Sequence, residues 1–217
     1  MYLVIGQGAT APSADALHSM GALSSSAVTE GQVWRLLAAA FVHVDWLHLI
    51  TNATLLLALG AWLEPALGYR RFLVLFVTGS ILGGLAAYTA NPSALVAGSS
   101  GAIAALMAGS AIVLGRQGLG TGGMALLILA CLALVTLGAG HVGIATSAHL
   151  GGVCGGITAG LLFRWFGRRS HRRCGVTKAA FVCCGFLLYY ALMAATIHAT
   201  LQPLEPPSSA SWAQTTP

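Results

Sequence analysis

The chain has 217 residues, 57% of them apolar and only 7% charged, with a formal net charge of +5. A soluble surface needs several times that charge, so a water-soluble globular domain is excluded. Apolar stretches recur near the ~20 residues that cross a hydrocarbon core, and the chain is expected to be an all-α polytopic membrane protein.

Residues 1–8 are apolar but too short to span, and no basic segment precedes them, so no cleavable signal peptide is recognisable. Residues 9–33 are Ala/Ser/Gly-rich and polar enough to lie outside the membrane. Residues 34–41 are apolar behind Trp34-Arg35, as expected of an interfacial segment. Spans are predicted over residues 47–67 and 72–90, followed by a turn at Asn91-Pro92-Ser93. A third span covers 100–114. A Gly-rich loop with Arg116 takes 115–123, a fourth span 124–140 and a fifth 147–166. Residues 167–178 form a basic loop, 179–200 an additional span, and the Pro/Ser-rich residues 201–217 a disordered tail. Cys131, Cys154, Cys174, Cys183 and Cys184 show no CxxC spacing and read as small buried hydrophobes. The sequence carries no metal-ligand cluster and no phosphate loop, so neither a metal nor a cofactor is expected.

The positive charges set an orientation. Arg70 and Arg71, then Arg116, then Arg164, Arg168, Arg169, Arg172, Arg173 and Lys178 fall in alternate loops, which assigns those loops to the cytoplasm. Of the basic residues only Arg35 falls outside them. Asp15, Glu30, Asp45 and Glu205 fall on the other side. The basic balance is thus one of topology, and no nucleic-acid partner is expected. The spans opening near residues 47, 100 and 147 then all run inward. Their N-terminal ends share one depth, just beneath the outer face.

The chemically distinctive residues gather at those ends. His48 and Asn52 are four apart on one helix face, and polar groups inside a span are costly. Gly98-Ser99-Ser100-Gly101 opens the third span, where unpaired N–H groups and the positive end of the helix dipole lie ready for an oxyanion. His149, in Ala148-His149-Leu150-Gly151-Gly152, can take a proton from a serine hydroxyl. Each has a structural reading when taken singly: interhelical hydrogen bonding, an N-cap serine, a core histidine. Two small-residue stripes connect the last two features. Gly152, Gly156 and Gly160 share a face with His149, and Gly101, Ala105 and Gly109 run beside Ser100. Close packing along such stripes brings imidazole and hydroxyl together, and is equally compatible with packing alone. No acid lies in either span, so the arrangement reads as a Ser–His dyad.

Gly31-Gln-Val-Trp34-Arg35, His43…His48…Asn52, Gly98-x-Ser100-Gly101 and Ala148-His149-x-Gly151-Gly152, in this order, resemble the rhomboid family of intramembrane proteases over about residues 31–166. Residues 64–72, with Glu64, Gly68, Arg71 and Phe72, resemble the family's link between its second and third helices. The resemblance implies a six-helix core plus one extra C-terminal helix. It implies Ser100 as nucleophile, His149 as base and then acid, and His48, Asn52 and the Ser100 N–H as oxyanion donors, with Gly98 beside the scissile bond. It implies transmembrane protein substrates cut in the bilayer near the outer face of a bacterial inner membrane. A rhomboid-like protein that binds membrane clients without cutting them is the alternative. Two departures stand out. The family usually carries an aromatic residue four positions after the serine, stacked on the histidine, where this chain has Ala104. A full first helix is expected before Trp34-Arg35, and residues 1–30 read as its remnant with an outer loop, as if the start were truncated.

Overall fold

The structure, a computed structural model, describes residues 12–93, 95–138 and 146–166. Three short helices precede the long ones. Helix α1, Ala14–Met20, begins where the Ser13 side chain accepts from the Ala16 N–H, and stops at Gly21 with φ 108°, a left-handed value that suits glycine. Helix α2, Ser25–Thr29, is capped in the same way by Ser24. Helix α3, Arg35–Ala38, runs into a 3-10 turn over Ala39–Phe41. The segment read as an outer loop therefore holds local helices nucleated by serine caps.

Four longer helices follow: α4, Trp46–Leu67; α5, Tyr69–Ala90; α6, Ser100–Gly138; and α7, Thr146–Phe166. All four are long and apolar enough to cross a membrane, and the chain is an all-α, multi-pass integral membrane protein. Asp45 caps α4, its Oδ1 accepting from the His48 N–H at 2.7 Å, so this acid is spent on the helix end. The Gly-rich loop expected over 115–123 takes a tighter form. Helix α6 is interrupted at Gly115 (φ 56°) and Gly120 (φ 70°) with helical residues between. Two left-handed glycines reverse the chain where a nine-residue loop was expected. The second limb returns along the first, bringing the Leu134 carbonyl back to the His149 ring.

The core lies between α4, α5 and both limbs of α6, around Leu59, Trp62, Leu75, Leu106, Met107 and Leu127. Helices α6 and α7 meet along the glycine stripes in one register. A methyl group added at Gly152 would run into the Gly101 backbone, at Gly156 into the Ala105 backbone, and at Gly160 into Gly109. Helix α5 closes the third side, with Gly79 against Ala102 and Gly83 against the Ala148 carbonyl. Lipid supplies no hydrophobic force between helices, so this close backbone approach is what holds them. Leu57, Leu129, Leu132 and Leu161 point outward, as suits side chains that face lipid. At the end far from Ser100, Arg164 Nη1 donates to the Ile112 carbonyl at 3.3 Å and the Arg71 guanidinium lies 5.9 Å from the Phe163 ring. The apolar piece 1–8, the basic loop, the additional span and the tail lie outside the described residues.

Candidate active site

Ser100 is the first residue of α6, and the first bond of that helix runs from the Ile103 N–H to the Ser99 carbonyl at 2.9 Å. The N–H groups of Ser100, Gly101 and Ala102 therefore have no helical acceptor behind them. The entry to α6 is fixed from outside. Leu23 and Val96 exchange both backbone hydrogen bonds, at 2.9 and 2.8 Å, and the Gly98 N–H donates to the Ala39 carbonyl at 2.9 Å. Gly98 has φ 118°, which a side chain would strain.

His149 sits on the first turn of α7 and is buried, whereas Ser100 is partly open. The glycine seam sets their separation: Ser100 Oγ and His149 Nε2 lie 2.8 Å apart. His149 Nδ1 is buried and makes no hydrogen bond among the described residues, none of whose carboxylates orients the ring. Ala104 is fully buried within the core cluster. No aromatic ring stands at that position, and the seam and the returning limb of α6 enclose the imidazole.

His48 comes from the first turn of α4. Its ring faces Gly98 so closely that a Cβ on Gly98 would lie 2.8 Å from Nε2 and 3.6 Å from Nδ1. Only glycine at 98 admits the ring, and the Nε2 edge is the near one. Asn52, one turn on and buried, donates from Nδ2 to the His48 carbonyl at 2.8 Å. An amide nitrogen carries two hydrogens, so one remains for the site. His43, Asp45 and His149 all lie within electrostatic reach of His48. The structure thus gathers Ser100, His149, His48 and Gly98 at one end of the bundle, with Asn52 directly beneath His48.

A family profile described as the Rhomboid domain matches residues 30–166, more than half of the chain. The chain belongs to the rhomboid family. It is 32% identical over 171 residues to Rhomboid-like protease 5 of Toxoplasma gondii, covering 72% of this chain and 20% of the relative. It is 28% identical over 164 residues to Rhomboid protease GluP of Bacillus subtilis (strain 168), covering 73% of this chain and 32% of the relative. Rhomboid-like protease 1 of Toxoplasma gondii is 28% identical over 195 residues, 82% of this chain and 66% of the relative. The chain spans a fifth of the first of these relatives and about a third of the second.

Two features of this rhomboid site were not assigned from sequence. Arg35, the basic residue that broke the charge pattern, is buried. It donates from Nη1 to the His18 and Ala22 carbonyls at 2.6 and 2.9 Å, and from Nε to Gln32 Oε1 at 2.8 Å. It staples the outer segment that carries the Leu23–Val96 bridge. His43 was part of the quoted motif without a role. Its ring stands against His48, centroids 5.2 Å apart at 75°.

Proposed function

We propose that the chain is an intramembrane serine endopeptidase that cleaves transmembrane segments of other proteins near the outer face of the membrane. The observation that carries this reading is the 2.8 Å contact between Ser100 Oγ and His149 Nε2, borne by two different membrane-crossing helices. Ser100 Oγ attacks the scissile carbonyl carbon as its proton passes to His149 Nε2. The resulting oxyanion takes hydrogen bonds from the Ser100 N–H, His48 and Asn52. The C–N bond then breaks, and the Nε2 proton goes to the leaving amine. Water, deprotonated by the same imidazole, cleaves the acyl-serine and returns the hydroxyl. Gly98, with no side chain, lets the substrate backbone approach the His48 edge. The distribution of arginines supports a site that opens on the side of the membrane away from the cytoplasm.

Ala104 favours the second reading, a weak or inactive rhomboid-like protein that holds membrane clients, because the histidine lacks a stacked ring. One experiment separates them. The full chain, Ser100→Ala and His149→Ala are each treated with a serine-reactive phosphonate or isocoumarin and assayed on a transmembrane peptide in liposomes. The protease reading expects labelling and cleavage by the parent alone. Cleavage that persists in Ser100→Ala removes it, and a parent that neither labels nor cuts favours the client-binding reading.

A further inference from the structure

His48 can stabilise an oxyanion only while a hydrogen sits on the nitrogen that faces the reacting carbonyl. In a neutral imidazole one nitrogen carries the hydrogen and the other a lone pair, and the hydrogen bond made by one nitrogen decides the state of the other. The Nε2 edge of His48 faces Gly98. Its Nδ1 lies further from Gly98, at 3.6 Å from the same Cβ position against 2.8 Å for Nε2, and is buried without a hydrogen bond among the described residues.

Everything else about His48 is over-determined. Its N–H is held by Asp45 Oδ1, and its carbonyl accepts from Asn52 Nδ2 at 2.8 Å and Thr51 Oγ1 at 3.0 Å. Among the described residues, the ring Nδ1 is the atom of His48 left buried without a hydrogen bond. The ring packed against it belongs to His43, whose two nitrogens are both buried and likewise unpartnered among the described residues. Three orphan ring nitrogens on two touching imidazoles are unfavourable in an apolar site. The Phe41 carbonyl, Asp45 and His48 are the polar groups that face His43. Burial pushes the His43 imidazole below the ordinary histidine range, so at neutral pH it carries one N–H and one lone pair.

We propose that His43 is the positioning residue of the donor arm: it donates its ring N–H to His48 Nδ1, directly after a small ring rotation or through one bridging water, and so fixes His48 as the Nε2–H tautomer aimed at Gly98. The inference rests on the protease reading for its consequence, not for its geometry. Catalytic hydrogen bonds of this kind often tighten only when substrate closes the site.

The test uses the full chain in liposomes, with a quenched-fluorescence transmembrane peptide bearing Gly and Ala at its outer end. His43→Phe keeps a ring and removes the donor, and His43→Gln restores an N–H. His43→Phe is expected to lower kcat about ten- to a hundredfold, less than the ~10²–10³ that outright loss of an oxyanion donor costs because part of the His48 population keeps the Nε2–H form, with KM unchanged. His43→Gln is expected to recover most of that loss. Independently of activity, 15N resonances of His48 should show one Nε2–H tautomer in the parent and a mixture in His43→Phe. A His43→Phe protein with parental kcat, or with a single Nε2–H tautomer at His48, overturns the proposal. If the parent shows no Ser100-dependent cleavage, the protease reading fails, and the His48 resonances still decide the tautomer claim.

Discussion

Replacing Gly152 with alanine tests whether the seam between α6 and α7 sets the distance on which the chemistry depends. The new methyl would lie 3.0 Å from Gly101 Cα and 2.8 Å from its carbonyl carbon, where carbon–carbon contacts relax to about 3.5–4.0 Å. Backbone cannot rotate aside as a side chain can, so α7 must withdraw by roughly 1 Å. Gly101 adjoins Ser100, and Gly152 lies one turn from His149, so the shift passes almost undiminished to the 2.8 Å contact. Overpacking of this kind costs about 1–3 kcal/mol, and an ångström of misplacement can lower a rate ~100-fold. The assay pairs thermal unfolding in detergent with the rate of phosphonate labelling at Ser100. Gly122→Ala is the comparison. Nothing lies within 4 Å of its added methyl, so reduced chain entropy should stabilise it by about 0.4–1 kcal/mol. A Gly152→Ala protein that labels at the parental rate would refute the idea that backbone contact along the seam sets the geometry.

Arg35→Ala strands the His18 and Ala22 carbonyls, at about 1–3 kcal/mol each, and should expose residues 12–45 to limited proteolysis. Arg35→Lys should recover only part, because an ammonium cannot reproduce the guanidinium fork that serves Gln32, His18 and Ala22 together. Ala104→Phe should not repair the missing stacked ring: Ala104 is fully enclosed, so the added ring overpacks the core by about 1–3 kcal/mol, read as a lower unfolding temperature and lower cleavage. Cleavage should be lost on acidification and recovered on return to neutral pH, because a protonated His149 has no lone pair for the Ser100 proton. A flat profile through the range that protonates histidine counts against that base.

The long helices were legible because each is a continuous apolar run, and the start of α6 was marked by the Gly98–Gly101 turn. The Ser100–His149 juxtaposition was legible for a further reason. The stripes 101/105/109 and 152/156/160 share a four-residue period that lets the two helices mate along their length, and the structure sets Gly152 on Gly101, Gly156 on Ala105 and Gly160 on Gly109. What stayed hidden depends on contacts remote in sequence or on very short elements. Helices α1 and α2 are held by single serine caps in an Ala/Ser/Gly-rich stretch with no apolar period. The Leu23–Val96 bridge joins two segments with no strand pattern, so nothing local announces it. Arg35 seemed an exception to the charge rule, because a guanidinium satisfied by backbone carbonyls leaves no acidic partner to notice. The expected loop over 115–123 was too long because a residue count cannot show that two left-handed glycines alone complete a reversal.

On the protease reading, the missing carboxylate has a physical explanation in the seam. In a soluble triad an aspartate holds the imidazole in place and stabilises its charged form. The same aspartate beside α7 would be a charge among apolar helices, which is expensive. Here the orienting task falls to backbone packing: Gly152 on Gly101 and Gly83 on the Ala148 carbonyl leave α7 little freedom to turn, and therefore leave His149 little freedom. The stabilising task is left to groups that carry no formal charge, the Leu134 carbonyl on the returning limb and the free N–H groups of the α6 start, which offset the imidazolium and the oxyanion respectively. A site built this way depends on helix spacing more than on any third side chain. Substitutions at small residues of the seam, remote from the reacting atoms, should therefore cost more activity than substitutions of polar neighbours such as Ser99.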